Sequence, residues 1–597
     1  MNNDSQASAS GESFSVAITG SGGSGAVTAG RILLEAAAHC GFQGLMTRSA
    51  GPQIRGGESA AMVRFSPDPV ECMGDEYDLL VALDWLNIER FADEIPLSGK
   101  SLILCDPAAG EVPALLRSNG AEIREVPFKV FASGLPEGRL NMVALGAAAV
   151  VCGLELSAME ASVRQVLQGK GEQVVETALR ALGLGYNHDR RPRITIPSPG
   201  RQDNRWSITG NQACGLGALR GGVRFVAAYP ITPASEILEW LAPRLEKLGG
   251  SLLQAEDELA SINMIIGASF GGVPSLTATS GPGLSLMVEG LGLALVSETP
   301  VTVVNVMRGG PSTGIPTKSE QSDLNIALYG LHGDAPHLVL APLSIRDAVF
   351  TTQWAVQLAE HLQTVSLVLS DQSLGQSQAI IESPLPCERS LQRAVEHSPG
   401  GDYRRYQVTP DDISAMALPG TPGGMYTADG LEHNTRGTPS SMAADHREQL
   451  NKRLRKLEKY DFGDDWAEVE GDGEQCIVTW GSSTGVVREA ARRLRQQRGE
   501  VRVIALRLLA PLRQRQLRQA LEGMRKILVV EQNHGAQLFH YLHAQGALPP
   551  LAQSLAQPGP LPLRPGRILR ALEEPFLYNT PEQETDHAGS RTQGKRL

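Results

Sequence analysis

Four segments decide the fold of this chain: AAYPITPASE (227–236), QAEDELASINMIIGASFGG (254–272), LTATSGPG (276–283) and NVMRGGPSTGIPTKSEQSDL (305–324). Each segment joins an apolar run to a polar turn, as expected where a strand ends and a helix or loop begins. In α/β proteins the chemistry is concentrated at such strand ends. We therefore expect the stretch from Ala228 to Leu324 to hold the functional site.

Local patterns predict the element that each segment forms. After the β-like run VRFVAAYP, the pair Thr232-Pro233 is typical of a helix N-cap followed by a first-turn proline. Apolar residues repeat at helical spacing from Leu259 and place Glu258 at a helix start. The run PVTVVNV predicts a buried parallel strand that ends at Arg308.

These motifs, taken together, resemble those of one enzyme family. A glutamate at a helix start followed by TSGPG resembles the pyrimidine-binding domain of thiamine diphosphate enzymes. YPITP, EDE, TSGPG and RGGPSTG together resemble the α chain of 2-oxoacid:ferredoxin oxidoreductases, most closely the γ-α fused form typical of 2-oxoglutarate:ferredoxin oxidoreductases. The resemblance covers residues 14–385 and 400–575.

The predicted fold class is α/β, with three doubly wound domains. They are a γ-type domain with a GxGxxG loop, a thiamine diphosphate pyrimidine-binding domain and a transketolase C-terminal-like domain. The predicted ranges are 14–185 for the γ-type domain, 186–209 for a linker, 210–385 for the pyrimidine-binding domain, 386–470 for a long surface loop and a charged helix, and 471–575 for the third domain.

Composition excludes several classes of function. The 597 residues are 42% hydrophobic and carry a net charge of −11, with no basic tract, which disfavours nucleic-acid binding. The seven cysteines lie far apart, so we expect neither an iron–sulfur cluster nor a metal site in this chain. The absence of a long apolar run and of a signal peptide favours a cytoplasmic protein without a membrane span.

A glycine-rich loop follows the first predicted strand. Gly20, Gly22 and Gly25 stand between SFSVAIT and a helix, the setting that a dinucleotide or phosphate loop requires; tight packing is the alternative. The second predicted strand closes on Arg48, where an NAD-binding fold keeps an acid. An arginine there, with Arg55 nearby, suits the ribose phosphate of NADP or coenzyme A, and the resemblance favours coenzyme A. Ordinary surface arginines are the alternative.

The resemblance also implies roles for the residues of the central stretch. Glu258 would contact the aminopyrimidine of thiamine diphosphate, with Glu256 as the alternative. Thr232 and Arg308 would hold the substrate carboxylate, and Lys318 or a partner's arginine would hold a distal carboxylate. His332, outside these motifs, could line the substrate pocket or a domain interface.

The chain lacks the diphosphate half of a thiamine site. Gly471-Asp472-Gly473 precedes its strand and has no Asn-Asn after it, so we interpret it as a turn. A β subunit should then supply Mg²⁺, the diphosphate site and a [4Fe-4S] cluster, in an assembly of two αβ heterodimers.

The predicted activity follows from the resemblance. It is oxidative decarboxylation of 2-oxoglutarate with coenzyme A, giving succinyl-CoA, CO2 and reduced ferredoxin, or the reverse carboxylation of a reductive tricarboxylic acid cycle. Three alternatives stay open: pyruvate or another 2-oxoacid as substrate, an NADP-linked dehydrogenase built on the GxGxxG domain, and a paralogue without catalysis.

Overall fold

Three β-sheets with flanking helices organise the residues that this computed structural model describes, which are 13–51, 57–90, 92–192, 196–200, 202, 204–384 and 390–573. The strands are β1 (Phe14–Ser21), β2 (Gln43–Ala50), β3 (Glu58–Ser66), β4 (Leu79–Ala82), β5 (Leu102–Cys105), β6 (Glu122–Glu125), β7 (Arg205–Thr209), β8 (Phe225–Ala228), β9 (Ser251–Gln254), β10 (Ser275–Thr279), β11 (Val301–Met307), β12 (Leu338–Leu340), β13 (Val365–Asp371), β14 (Gln378–Glu382), β15 (Ala467–Glu470), β16 (Gln475–Trp480), β17 (Arg502–Leu506), β18 (Leu508–Ala510), β19 (Lys526–Glu531) and β20 (Ala552–Ala556). The α-helices are α1 (Ala26–His39), α2 (Ala114–Arg117), α3 (Phe128–Ser133), α4 (Leu140–Val151), α5 (Leu156–Val166), α6 (Glu172–His188), α7 (Gly210–Arg220), α8 (Ser235–Leu245), α9 (Glu258–Phe270), α10 (Gly281–Val296), α11 (Leu324–Tyr329), α12 (Ile345–Leu362), α13 (Gln372–Gln376), α14 (Ala443–Lys459), α15 (Ser483–Arg498), α16 (Gln514–Ala520), α17 (Gln537–Ala544) and α18 (Pro565–Glu573).

The first sheet has the strand order β6-β5-β4-β1-β3-β2-β14-β7. β1 is parallel to β4, and β5 and β6 continue that direction, whereas β3 is antiparallel to both β1 and β2. Strand pairing crosses the boundaries drawn from the sequence, because β7 lies within the predicted linker and β14 within the predicted central domain. A five-residue strand in a charged stretch carries too little alternation to be recognised alone.

The central sheet has the order β18-β12-β13-β11-β10-β8-β9 and is parallel except for β18. All residues of β11 are buried between β10 and β13, which confirms the buried parallel strand predicted from PVTVVNV. β18 comes from the third part of the chain, and apolar residues of the central and third parts form one continuous core.

The third sheet has the order β15-β17-β16-β19-β20, parallel except for β15. The small parallel sheet predicted for this part is therefore confirmed. β15 begins at Ala467, a few residues before the predicted boundary at 471. Gly471 and Gly473 both have positive φ and lie in the turn between β15 and β16, as the sequence predicted.

Helix α14 confirms the charged helix predicted for this part of the chain. Residues 390–442 precede it. The surface loop predicted here also has deeply buried side chains, among them Arg405 and Tyr406. On α14, Lys452 and Lys456 place their Nζ atoms 2.5 and 3.0 Å from the carboxylate of Glu298, which is fully buried. Burial opposes ionisation of Glu298, but these cations and Arg405 hold its pKa well below the usual range. A buried ion network thus fastens α14 to the central domain.

Candidate active site

Four loops of the central domain meet at one edge of its sheet. β8, β9, β10 and β11 are parallel neighbours or near neighbours, so the loops that follow them emerge on the same side. These loops carry Thr232 after β8, Glu258 after β9, the TSGPG turn after β10 and Arg308 after β11. The structure therefore brings together the central site residues predicted from the sequence, at the edge where α/β proteins bind ligands.

Glu258 is the first residue of α9 and is buried, with 6% of its surface exposed. The preceding Asp257 caps the helix by accepting the Ala260 N–H at 2.7 Å, whereas Glu256 is exposed. Among the residues that the structure describes, none donates a hydrogen bond to the Glu258 carboxylate. Burial separates the two glutamates that the sequence left open and favours Glu258 for contact with a ligand.

The TSGPG turn fits closely around that carboxylate. A Cβ added to Gly283 would lie 2.6 Å from Glu258 Oε1 and 2.1 Å from Thr279 Oγ1, so any larger residue here would displace one of these side chains. Within the described chain, the buried hydroxyls of Thr277 and Ser280 have no hydrogen-bond partner. A buried carboxylate against a glycine in the first turn of α10, next to the unpaired Ser280 hydroxyl, fits a polar heterocycle such as an aminopyrimidine.

Arg308 follows β11 and is 6% exposed. Its Nη1 donates to the Thr232 carbonyl oxygen at 2.6 Å, while its Nε has no partner within the described residues. Burial lowers the pKa of Arg308, and the nearby Asp323 carboxylate opposes that shift. The guanidinium is thus anchored at one nitrogen and keeps donor capacity for an anion.

Asp323 is a site residue that the sequence reasoning missed. Asn305 donates to its carboxylate at 2.9 Å, and a Cβ on Gly281 would lie 2.7 Å from Asp323 Oδ2. Burial raises the pKa of Asp323, against the hydrogen bond from Asn305 and the charge of Arg308. Asp323 therefore packs against the first residue of α10, close enough to Arg308 for the two charges to interact. The sequence feature that could have indicated Asp323 is its position in the segment 305–324, directly before an apolar helix.

One local prediction near the site needs correction. Thr232 is not a helix N-cap, because α8 begins at Ser235 with Ala234 as its N-cap residue. A turn intervenes, in which the Ser235 N–H donates to the Ile231 carbonyl at 3.0 Å. The Thr232 side chain is therefore exposed at the edge instead of capping the helix. His332 is also exposed and lies beside α10 near Gly292.

Lys318 points toward the first domain. Its Nζ donates to Ser49 Oγ at 2.7 Å and forms an ion pair with Glu94. The backbone of Lys318 stays close to the site, since its carbonyl accepts the Gly309 N–H at 3.0 Å. In this conformation the ammonium group has a carboxylate partner, and the predicted contact with a distal substrate carboxylate stays a prediction.

The glycine loop of the first domain is a tight turn between β1 and α1. Ser21 donates its N–H and its hydroxyl to Asp84, both at 2.9 Å, and the Gly22 N–H donates to the Gly57 carbonyl at 2.7 Å. A Cβ on Gly20 would lie 2.6 Å from the hydroxyl oxygen of Ser24. Amides at Ser21 and Gly22 are therefore already used within the chain.

The end of this loop remains a helix N-terminus without a side-chain cap. Gly25 is the N-cap residue of α1 with φ 86°, a left-handed conformation that favours glycine. Asn141 packs against it and donates to its carbonyl at 3.2 Å. The first turn of α1 contains no acid, so its electrostatics suit an anion.

Arg48 lies on β2, but the expected dinucleotide-type arrangement is wrong. In that fold the second strand is adjacent to the first, whereas β3 separates β1 from β2 here, two strand spacings or about 10 Å. Arg48 instead forms an ion pair with Glu236 of α8, which also accepts from Gln376 at 3.1 Å. Arg55 lies outside the described residues.

A cavity of about 170 Å³ lies where the three parts of the chain meet. Arg48 of the first domain, Lys318 of the central domain and Arg564 of the third are among its lining residues. The fold thus brings to one cavity two cations that the sequence placed in separate roles. Glu258 and Arg308 belong to the carboxyl edge of the central sheet.

No group of three His, Cys, Asp or Glu side chains among the described residues could hold a metal ion. No helix in the described part of the chain has the length and apolarity needed to cross a bilayer.

Family models match consecutive parts of the chain. A pyruvate ferredoxin/flavodoxin oxidoreductase model matches residues 15–188, a model described as pyruvate flavodoxin/ferredoxin oxidoreductase, thiamine diphosphate-binding, matches 216–452, and a transketolase C-terminal domain model matches 466–543. These ranges correspond to the first, central and third domains. Fold and site together define the class, an α-type subunit with a thiamine diphosphate-binding pyrimidine domain.

Relatives that match most of the chain give the family. The 2-oxoacid:ferredoxin oxidoreductase 2 subunit alpha of Aeropyrum pernix is 30% identical, over 90% of this chain and 94% of that protein. The 2-oxoglutarate oxidoreductase subunit KorA of Mycobacterium tuberculosis is 32% identical, over 80% of this chain and 78% of that protein. The chain belongs to the 2-oxoacid:ferredoxin oxidoreductase family.

Other comparisons differ in how much they cover. The match to 2-oxoacid:ferredoxin oxidoreductase 1 subunit alpha of Sulfurisphaera tokodaii is 36% identical and spans 57% of that protein's length. A solved 2-oxoglutarate:ferredoxin oxidoreductase from Magnetococcus marinus, with 2-oxoglutarate, coenzyme A and succinyl-CoA bound, is 35% identical with a TM-score of 0.87. That match covers 94% of this chain and 99% of the solved one, which confirms the α/β arrangement of three domains.

Proposed function

We propose that this chain is the α-type subunit of an enzyme that oxidises 2-oxoglutarate with coenzyme A to succinyl-CoA and CO2 and passes the electrons to ferredoxin, or runs the reverse carboxylation. The observation that carries the proposal is the buried Glu258 carboxylate against Gly283 of the TSGPG segment. The Magnetococcus marinus relative, whose bound ligands include 2-oxoglutarate and coenzyme A, supports this choice of substrates.

Glu258 is the proposed activator of thiamine diphosphate. When bound, that cofactor supplies a thiazolium carbon that attacks the 2-oxo carbonyl and accepts the electron pair left when CO2 departs. The Glu258 carboxylate would hold the proton at N1′ of the pyrimidine ring, which favours the imino form of the opposite amino group. Gly283 lets this carboxylate pack directly against the start of α10, where a Cβ would lie 2.6 Å from Glu258 Oε1.

Arg308 and Thr232 are the proposed anchors of the substrate carboxylate. Arg308 donates to the Thr232 carbonyl, so its orientation is set before a ligand arrives. Burial strengthens its charge-assisted hydrogen bonds. The exposed Thr232 hydroxyl could add one donor. Lys318 could reach a distal carboxylate only if it leaves Glu94, which makes 2-oxoglutarate recognition a testable exchange of partners.

The first domain is the proposed coenzyme A side, through the N-terminus of α1 and through Arg48. Arg48 and Glu236 are each about one-third exposed, so their ion pair contributes little, about 0–1 kcal/mol, and a phosphate could replace it. Arg48→Ala should raise the coenzyme A Michaelis constant about 10- to 150-fold, the loss of one charge-assisted contact. The control Glu236→Gln removes the ion pair but keeps the arginine, and should leave that constant unchanged or lower. If both variants changed the constant equally, Arg48 would not be part of the coenzyme A site.

A β-type partner is proposed to complete the enzyme with Mg²⁺, the diphosphate site and a [4Fe-4S] cluster. Relatives named as α subunits support a multi-subunit enzyme. Expressed alone, this chain should lack the visible absorbance of an iron–sulfur cluster and bind thiamine diphosphate weakly. The visible absorbance and tight binding of thiamine diphosphate should appear on reconstitution with the partner. Stoichiometric iron in the isolated chain would contradict the proposal.

Substrate preference is the direct test of the proposed function. The reconstituted complex should reduce viologen in a coenzyme A-dependent reaction, far faster with 2-oxoglutarate than with pyruvate at equal concentration. The broader name of the Aeropyrum pernix relative favours a second candidate, an enzyme that accepts several 2-oxoacids. Equal rates with both acids would select that candidate, and a preference for pyruvate would overturn the 2-oxoglutarate assignment.

A further inference from the structure

The third domain has the topology of a ligand-binding sheet. β16 lies between β17 on one side and β19 on the other, and all three strands are parallel. The chain adds β17 on one side of β16 and β19 on the other, so the strand order reverses between β16 and β19. In open parallel sheets, ligands bind outside the carboxyl ends of the strands at such a point. Here the last residue of β16, Trp480, and the residue after β19, Gln532, both contact a side chain of the central domain, Gln321.

Gln321 is 1% exposed and bonded on every polar group. Its N–H donates to the Gln532 carbonyl at 2.7 Å, and its Oε1 accepts the Gln532 N–H at 2.8 Å. Its Nε2 donates to the Trp480 carbonyl at 2.9 Å, and its own carbonyl accepts from Asn533 Nδ2 at 3.1 Å. A Cβ on Gly481 would lie 2.6 Å from Gln321 Nε2, so the crevice is shaped around the carboxamide.

The helix at this crevice is also satisfied from within the chain. α17 begins after β19, and the carboxylate of the fully buried Glu531 accepts the N–H groups of Leu538 and Phe539 at 2.8 and 3.0 Å. A carboxylate therefore occupies the position where this type of fold binds an anionic ligand. Gln321 and Glu531 together fill the crevice with protein groups.

The segment that carries Gln321 also holds the proposed substrate anchor. On one side of Gln321, the Lys318 carbonyl accepts the Gly309 N–H at 3.0 Å. On the other side, Ser322 Oγ donates to the Arg308 carbonyl at 3.3 Å, and Asp323 accepts from Asn305 of β11 at 2.9 Å. The loop 309–323 thus joins Arg308 at one end to the crevice of the third domain at the other.

We propose that Gln321 is a positioning residue, and that the third domain uses its ligand crevice as a clamp on the loop 309–323, which fixes Arg308 for the substrate carboxylate. The inference rests on the proposed function, because Arg308 receives its role there. Gln321 acts through Arg308 and touches no substrate. The third domain then contributes to affinity for the 2-oxoacid as well as to packing.

The test uses the reconstituted αβ complex with Gln321→Met, which keeps the side-chain length and volume but removes the side-chain hydrogen bonds. The Michaelis constant for the 2-oxoacid should rise about tenfold, as expected for the loss of one or two net hydrogen bonds. The constant for coenzyme A should stay within about twofold of wild type, below the effect of one net hydrogen bond. By hydrogen–deuterium exchange, peptides covering 309–323 should exchange faster in the variant.

Gln449→Met is the matched control, because Gln449 is also fully buried and donates to a backbone carbonyl, that of Tyr406, at 3.1 Å. It should lower the melting temperature without changing either Michaelis constant. If Gln321→Met does not fold, Asn533→Ala is the alternative variant: it removes the third-domain donor to the Gln321 carbonyl and should likewise raise the 2-oxoacid constant and the exchange rate in 309–323. Unchanged exchange in 309–323 overturns the clamp, and an unchanged 2-oxoacid constant overturns the positioning role. A wild-type complex inactive on every 2-oxoacid refutes the proposed function instead, while the exchange result still decides the clamp.

Discussion

Glu258→Gln separates the catalytic role of this carboxylate from a favourable interaction with the dipole of α9. Glutamine has the same size, so its contact with Gly283 and its place at the start of α9 are kept. An acid in the first turn of a helix contributes about 0.3–1 kcal/mol through the helix dipole, so the melting temperature should change little. A carboxylate that holds the N1′ proton takes part in acid–base chemistry, which contributes about 10²–10⁴-fold in rate, or roughly 3–5 kcal/mol of barrier.

The burial of Glu258 decides which magnitude applies. At 6% exposure and without a donor among the described residues, its carboxylate is placed for a ligand, whereas Glu256 is exposed. We expect turnover of the αβ complex to fall by two or more decades in Glu258→Gln and by less than about twofold in the matched variant Glu256→Gln, which removes the same charge outside the pocket.

The assay is coenzyme A-dependent viologen reduction, with proton–deuterium exchange at C2 of bound thiamine diphosphate as a second readout. Both should slow in parallel in Glu258→Gln. If Glu258→Gln retains more than about a tenth of wild-type turnover, a loss below the acid–base range, while Glu256→Gln does not, the role belongs to Glu256. If neither substitution matters, the thiamine assignment fails.

Three further substitutions test other parts of the structure. Gly283→Ala should lower thiamine diphosphate affinity of the complex at least tenfold by titration calorimetry, because its Cβ would lie 2.1 Å from Thr279 Oγ1; unchanged affinity would contradict the close packing of this turn. Arg308→Lys keeps the charge but not the planar fork, so the 2-oxoacid Michaelis constant should rise about 10- to 150-fold with the coenzyme A constant unchanged. Glu298→Gln leaves buried cations without their anion and should cost about 3–5 kcal/mol of stability, against about 0–1 kcal/mol for the exposed control Glu382→Gln. Because the folded-state pKa of Glu298 is depressed, its contribution is present above about pH 4 and is lost as the pH falls, so wild type should lose more melting temperature than Glu298→Gln on acidification below about pH 4.

The sequence by itself determined the elements of the central site. The Glu258 helix start, the TSGPG turn and the strand ending at Arg308 each depend on a short run of residues whose pattern specifies a helix, a turn or a buried strand. Parallel strands then deliver their carboxyl ends to one edge of the sheet, so these residues could be expected to meet. The same reasoning predicted three domains and the turn at residues 471–473.

Only the tertiary structure decided which side chain or backbone group each polar residue binds. Arg48 pairs with Glu236 across 188 positions of sequence, and Lys318 with Glu94 across 224. The insertion of β3 between β1 and β2 and the seating of Gln321 in the third domain are likewise contacts between distant segments. Local periodicity states which face of an element is apolar, but an arginine, lysine or glutamine can satisfy its charge or its amide with many partners. Chain topology and packing bring one of those partners within reach, and no pattern local to either residue encodes that contact.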